Sequence, residues 1–394
     1  MRDKIYTAYN KVSTFLVKPF FAEQRTTMVL WVILALLGMT KLHHDNNFKV
    51  FRGVFWHTLH QTSLFAAYPE EHFDYNYYGP VYSIIIAPFA LLPEWVGLLF
   101  WLVFLAMWLY WAIAKSGLTS HQKNFIYWFC SLALLDALFM QQFNIAIAAI
   151  VLSSFFLIEK EKDGWAAFFI VLGTLVKIYG IMGLAFFFFS KHKGKFIISL
   201  ILWSGVLFAL PMVISNPDYI ITQYQEWLPS LAGKNNLNMD AMGQNISLLG
   251  MTHRISGNHT FSDLWLILPG IVLFLLPYLR FNQYKHLAFR ETILASTLMF
   301  IILFSTGSEA SGYIIALTGV CIWYTAVPWQ RSRWDIALMV FVFILSGMGN
   351  SDIWPKVIRK ELVQPYALRA LPVTIVWLRL CYEMLRREYS PTIK

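Results

Sequence analysis

Carboxylates and imidazoles gather in one stretch of this chain, His43–Pro80 (HHDNNFKVFRGVFWHTLHQTSLFAAYPEEHFDYNYYGP), which follows an apolar segment and ends where the next begins. It carries Asp45, Glu70, Glu71, Asp74 and five histidines: His43, His44, His57, His60 and His72. A carboxylate within hydrogen-bond reach of a hydroxyl can serve as general base. Asp45 stands just beyond the first apolar run and is the first candidate; the alternative is a solvated loop carboxylate. The histidines could take a metal, but no pair of them has a compelling ligand pattern.

Other polar residues interrupt runs that are otherwise apolar. An ammonium such as Lys177, deep in residues 164–189, must find a partner, snorkel or line a wet cavity. In a cavity it could hold a phosphate as a compact point charge. Gln141, Gln142 and Asn144 break another apolar region, and either bind a ligand or join two helices. Arg254, after the run GQNISLLG at Gly243–Gly250, is a second phosphate candidate because a guanidinium holds phosphate bidentately. Glu309, with Ser308 and Tyr313, opens a late span. In Phe73–Pro80 (FDYNYYGP), Tyr77 and Tyr78 serve either as interfacial anchors or as a sugar-stacking surface, and Gly79 eases the turn into a helix begun by Pro80.

The elements that must position these groups are membrane helices. Of 394 residues, 58% are hydrophobic and only 13% charged, with mean hydropathy +0.54; a soluble domain carries about 25% charged residues. The net charge of +9 is read as basic residues holding cytoplasmic ends in place, not as a nucleic-acid footprint. Cys130, Cys321 and Cys381 sit in apolar surroundings without ligand or disulfide spacing and read as buried fillers.

Residues 1–25 mix basic and apolar residues, as in a surface helix. Residues 26–40 form the first span and Phe48–Leu59 an interfacial helix within the first loop. Further spans are expected at 81–92, 95–114, 124–140, 145–158, 164–189, 196–214, 264–279, 292–306, 311–328, 334–348 and 367–382. The chain is therefore an all-α polytopic membrane protein of about 12 spans with both termini inside. It forms one integral membrane domain over residues 1–394, with outward loops at 43–80 and 215–263. The basic Ser190–Lys195 (SKHKGK) marks a cytoplasmic loop, whereas Lys115, Lys123, Lys160 and Lys162 give conflicting orientation cues between residues 80 and 163. No soluble domain and no strong internal repeat is visible.

The ordered set of motifs resembles glycosyltransferase family 87, of the C-type glycosyltransferase superfamily, related to bacterial polyprenol-phosphate-mannose-dependent mannosyltransferases. Asp45 with Phe48 and Phe51 resembles the family's first outward loop. Tyr77, Tyr78, Gly79 and Pro80, then Leu92 and Pro93, resemble its aromatic and proline entry, with Gly79 replacing a proline. Gln141, Gln142, Phe143 and Asn144 resemble Gly-Gln-x-Asn, and Lys177 and Ile178 a Lys-Pro without its proline. Asn245–Gly250 resembles Asn-x-Ser-Leu-x-Gly, and Ser305–Tyr313 a Ser-rich motif ending in Tyr.

The resemblance implies inverting transfer of a sugar, mannose by analogy, from a polyprenyl-phosphate donor to a hydroxyl of a glycolipid or glycan. Asp45 would be the base. Lys177, Arg254, Tyr77, Tyr78, Gln142, Asn144, Asn245, Glu309 and Tyr313 would bind donor or acceptor. The implied location is the cytoplasmic (inner) membrane of a cell envelope, with the site facing the periplasm or exterior. The implied partners are these two substrates and membrane lipids, with no nucleic acid. No cofactor is implied, and a divalent metal is optional. The competing readings are a lipid or lipid-linked-sugar flippase, with Lys177, Glu309 and Asn144 lining an alternating-access path, and a non-catalytic glycan-binding subunit on the same scaffold.

Overall fold

A backbone among so few polar side chains must satisfy its own hydrogen bonds, and this one does so as helix. The computed structural model of the chain is 76% helical, with no strand among the described residues. Those residues are 19–44, 46–240, 243–258, 260–349 and 354–390. Asp45, His259 and most of the expected N-terminal surface helix lie outside them.

Helix α1 (Gln24–Gly38) continues as a 3-10 segment to His44. The expected interfacial helix is α2 (Asn46–His60). α3 (Tyr82–Ala90), α4 (Glu94–Lys115), α5 (Ser120–Phe129), α6 (Ser131–Phe139) and α7 (Asn144–Glu159) follow. Next come α8 (Asp163–Lys177), a 3-10 segment Tyr179–Phe189, and α9 (Lys193–Ala209). The remainder is α10 (Pro217–Asp240), α11 (Leu248–Ser256), α12 (Leu264–Leu275), α13 (Leu287–Leu303), α14 (Tyr313–Ala326), α15 (Arg333–Phe341) and α16 (Ala370–Arg386). Between the last two lie π-helical turns, Val342–Gly347 and Arg359–Val363.

α7 and α14 are buried along most of their lengths and form the centre. α7 packs on α4, α8 and the 3-10 segment, and α13 pairs with α14. α9 and α12 lie at the periphery, where Ile201 is 69% and Trp265 77% exposed; apolar surface of this kind suits contact with lipid. Gln24–His44, Glu94–Lys115 and Lys193–Val213 are long and apolar enough to cross a membrane, and Asn144–Glu159, Tyr179–Phe189, Leu264–Leu279 and Ala310–Ala326 are shorter apolar helices. The chain is a membrane protein by these helices.

Three expected elements differ. Residues 164–189 are not one helix but a hairpin. Ile178 has φ 25°, and the chain folds back so tightly that a Cβ on Gly180 would lie 2.3 Å from the Gly173 carbonyl carbon. At the open end, Ser190 donates to Asp163 at 2.6 Å. Lys177 is therefore the hairpin tip, not a residue in the middle of a span. The 81–92 run is the nine-residue α3, which stays at one end of the bundle: Arg52 of α2 donates to the Ala90 and Leu92 carbonyls, both at 3.2 Å. The 215–263 loop contains α10, whose start was written in Asn216-Pro217-Asp218, a cap residue, a proline at the first helical position and an acid in the first turn.

One end of the bundle is basic. Lys160 donates to the Lys115 carbonyl, Lys191 pairs with Glu161, Arg290 with Glu159 and Arg331 with Glu383. The His43–Pro80 stretch and α10 lie at the other end, joined where Tyr219 donates to the Thr62 carbonyl at 2.7 Å and Trp227 to the Tyr77 carbonyl at 2.9 Å.

Candidate active site

Four pieces meet at that second end: the Phe73–Tyr78 turn, the tip of the α8 hairpin, the last turns of α10 and the Ser305–Glu309 loop after α13. Together with α2, the Met140–Gln142 turn and Gln244, they enclose a cavity of about 560 Å³. The turn is held by Asn76, which accepts from the Tyr78 amide at 2.9 Å and donates to its carbonyl at 3.1 Å. Gly79 then runs against the hairpin, its amide donating to the Val176 carbonyl at 3.1 Å, and a Cβ there would sit 2.0 Å from the Leu175 carbonyl oxygen. Close approach, not turn flexibility, requires glycine at this point. A proline there would lose the N–H that bonds Val176 and would collide with the hairpin.

Lys177 Nζ donates to Asn144 Oδ1 at 2.8 Å, makes a long contact to the Tyr78 hydroxyl at 3.5 Å, and lies over the Tyr78 and Tyr179 rings at 5.4 and 5.5 Å. An ammonium has three donors, so one remains for the cavity. The Tyr78 hydroxyl donates to Gln142 at 3.0 Å. Asn144 donates to Ser311 at 2.9 Å, which reaches Glu309 at 3.3 Å. Glu309 faces Lys234 Nζ at 3.9 Å, and Lys234 stands over the Tyr77 ring at 4.3 Å. The result is a tyrosine-walled chamber with two ammoniums and one buried carboxylate.

Tyr77, Tyr78, Gln142, Lys177 and Glu309 line the cavity, and Asn144 stands directly behind Lys177. Three other sequence candidates are supports. Asn245, at φ 50°, accepts from Ser247 at 2.7 Å. Arg254 donates to the Gln244 carbonyl at 2.8 Å, and the Tyr313 hydroxyl to the Ile246 carbonyl at 3.0 Å. Asp45 lies outside the described residues. Of its neighbours in sequence, Asn46 accepts from the Phe73 amide at 3.0 Å, and Asn47 lines the cavity and donates to the Met140 carbonyl at 2.9 Å. Asp74 also lines it.

Lys234 does not stand out by residue type, because its segment is rich in polar residues. The signal was present: Leu231, Lys234, Asn235 and Asn238 all line the cavity and follow the spacing of one helical face. Thr306 donates to Asn235, tying α10 to the Ser305 loop. Tyr179, which hydrogen-bonds Ser305 at 2.8 Å, reaches the cavity only because the hairpin turns there.

His57 and His72 of the first loop both pack on Tyr68 but bond different groups. His57 meets Glu71 at 3.1 Å and stacks on Tyr68 at 3.8 Å, while His72 bonds the Asp74 carbonyl at 2.6 Å. Burial holds His57 below the ordinary imidazole range, with the Glu71 carboxylate pulling the other way. Among the described residues, no three His, Cys, Asp or Glu side chains are grouped to hold a metal ion.

No curated protein shows a significant match to the chain. The sequence model of Glycosyltransferase family 87 matches residues 76–306, more than half of the chain. The match runs from Tyr77 through Lys177 and Lys234 to Ser305, and so covers most of the cavity wall; on that match the chain belongs to glycosyltransferase family 87, a C-type family.

Proposed function

We propose that this glycosyltransferase moves a hexose, mannose by resemblance, from a polyprenyl-phosphate donor to a hydroxyl of a glycolipid or glycan, with inversion. The observation that carries this reading is the pair of ammoniums, Lys177 and Lys234, facing a tyrosine-walled chamber. The acceptor hydroxyl loses its proton to Asp45 and its oxygen attacks the anomeric carbon. The bond from that carbon to the phosphate oxygen breaks on the opposite face, and the phosphate leaves with the electron pair. Ammoniums beside the departing oxygen stabilise its developing charge. A phosphate leaves as a stable anion, so no general acid is needed. Tyr77, Tyr78, Gln142 and Glu309 supply ring faces and hydrogen-bonding groups for the sugar.

The direct test offers purified protein radiolabelled polyprenyl-phosphate mannose, glucose and other lipid-linked sugars, with extracted membrane glycolipids as acceptors. Transfer from one donor, with the anomeric configuration of the product reversed by NMR, is expected. Retained configuration would refute the single displacement. Lipid movement in vesicles without transfer from any donor would favour a flippase.

The proposed topology puts the basic end in the cytoplasm. With α3 staying at one end and the α8 hairpin crossing twice, about 12 passes and two cytoplasmic termini result. The chamber then opens to the outer face of the inner membrane. After removal of Cys130, Cys321 and Cys381, cysteine replacing Phe73 or Leu228 is expected to react with an impermeant maleimide added outside intact cells. Cysteine replacing Lys193 is expected to react only after permeabilisation. Reaction of either of the first two only from the inside would refute an outward-facing chamber.

A further inference from the structure

A second chamber, of about 490 Å³, adjoins the first. Met140 belongs to both walls. Gln244 and Glu309 face the first chamber, while Gly243, Ile246 and Ala310 face the second, so two short segments partition them. Among its lining residues two are cationic, Lys360 and Arg369, and none is acidic.

Arg369 is 2% exposed. Its Nε and Nη2 donate to the Ser346 carbonyl at 3.1 and 2.8 Å, Nη2 reaches Asp136 at 3.3 Å, and the guanidinium covers the Tyr313 ring at 4.6 Å. One side of the planar fork is therefore fixed. Nη1 on the other side is buried without a protein partner, and a buried N–H of this kind calls for an acceptor. Asp136, which already meets Nη2, does not line the chamber. Ala367, in the wall, is held at φ 50°, a conformation uncommon for a residue with a Cβ. Beside the chamber, the segment carrying Lys360 exposes Val357, Ile358 and Leu362, an apolar rim suited to an alkyl chain.

We propose that this chamber receives the anionic headgroup, phosphate or carboxylate, of the membrane amphiphile that accepts the sugar. Its role as acceptor site rests on the transfer reaction proposed above. A headgroup anion here would complete the guanidinium fork and be drawn by Lys360. The shared Met140 wall and the thin partition would then bring acceptor hydroxyls beside the donor chamber.

Thermal unfolding of the purified full chain in dodecyl maltoside reads this without any sugar transfer, so a failed transferase assay leaves the result interpretable. Phosphatidylglycerol is expected to raise Tm, while phosphatidylcholine or inorganic phosphate does so weakly or not at all. Arg369→Gln is expected to need about tenfold more phosphatidylglycerol for the same shift, as loss of a charged hydrogen bond implies. Because that variant leaves Asp136 unpaired from its arginine, Gly243→Phe provides the second test. Gly243 stands in the chamber wall and a Cβ on it meets nothing within 4 Å, so a bulky ring can be placed at the wall with Arg369 and Asp136 both retained. Gly243→Phe is expected to lose the response and Lys177→Ala to keep it. A wild-type response in Gly243→Phe, no response in wild type, or the full effect from inorganic phosphate would overturn the headgroup assignment.

Discussion

Asp45→Asn is expected to cut sugar transfer by about 10²–10⁴-fold, the usual cost of losing a general base, with donor binding and thermal stability kept. Amide and carboxylate have nearly the same shape, so the substitution changes proton affinity and charge more than packing. The effect should fall on kcat, with little change in the donor KM, because a base acts only once both substrates are bound. Single-turnover transfer of a radiolabelled lipid-linked sugar, beside equilibrium binding of the same donor, separates the two. If Asp45→Asn turns over near the wild-type rate, Asp45 is not the base. Asp74, the other loop aspartate and a residue of the cavity wall, is then the next carboxylate to replace. Loss of donor binding together with activity would instead mark Asp45 as part of the binding surface.

Lys177→Ala is expected to weaken donor binding by about 10- to 100-fold, since a hydrogen bond to a charged group contributes about 1.5–3 kcal/mol. Acceptor affinity should change far less. The ammonium is anchored by Asn144 at 2.8 Å at the tip of a hairpin, with one donor left for a ligand. Lys177→Arg is expected to rescue only partly, because a planar fork does not replace a point charge at a site shaped around Tyr78 and Tyr179. Titration with polyprenyl-phosphate sugar and, separately, with polyprenol lacking the phosphate gives the readout: the wild type should prefer the phosphate-bearing lipid and the variant should not. Normal donor affinity with poor expression would assign Lys177 to folding alone.

The chain by itself determined its class, and for a simple reason. Apolar runs with few charges have one way to satisfy their backbone, so helices and a membrane follow from composition and hydropathy. The polar interruptions were equally visible. Tyr77, Tyr78, Gln142, Lys177 and Glu309 stand out in an apolar sequence because each is costly to bury without a partner, and these five meet in one cavity. What hydropathy cannot register is a reversal of direction inside an apolar run. Residues 164–189 read as one helix, yet Gly173 and Gly180 let two segments touch and turn Lys177 into a tip. Under the proposed topology, that fold-back, with α3 remaining at one end, puts Lys115, Lys123 and Lys160, whose cues conflict in the sequence, together at one end: Lys160 donates to the Lys115 carbonyl and Lys123 to the Ala114 carbonyl. Polar composition also disguised α10 as loop and hid Lys234, although its helical spacing was legible. Arg254, Asn245 and Tyr313 are chemically apt, yet the hydrogen bonds that Arg254 and Tyr313 donate to the Gln244 and Ile246 carbonyls, and the one Asn245 Oδ1 accepts from Ser247, lie within or beside the partition. Residue type announces what a side chain can do; which partner reaches it first is decided by distances between segments remote in sequence, and these only the tertiary structure sets.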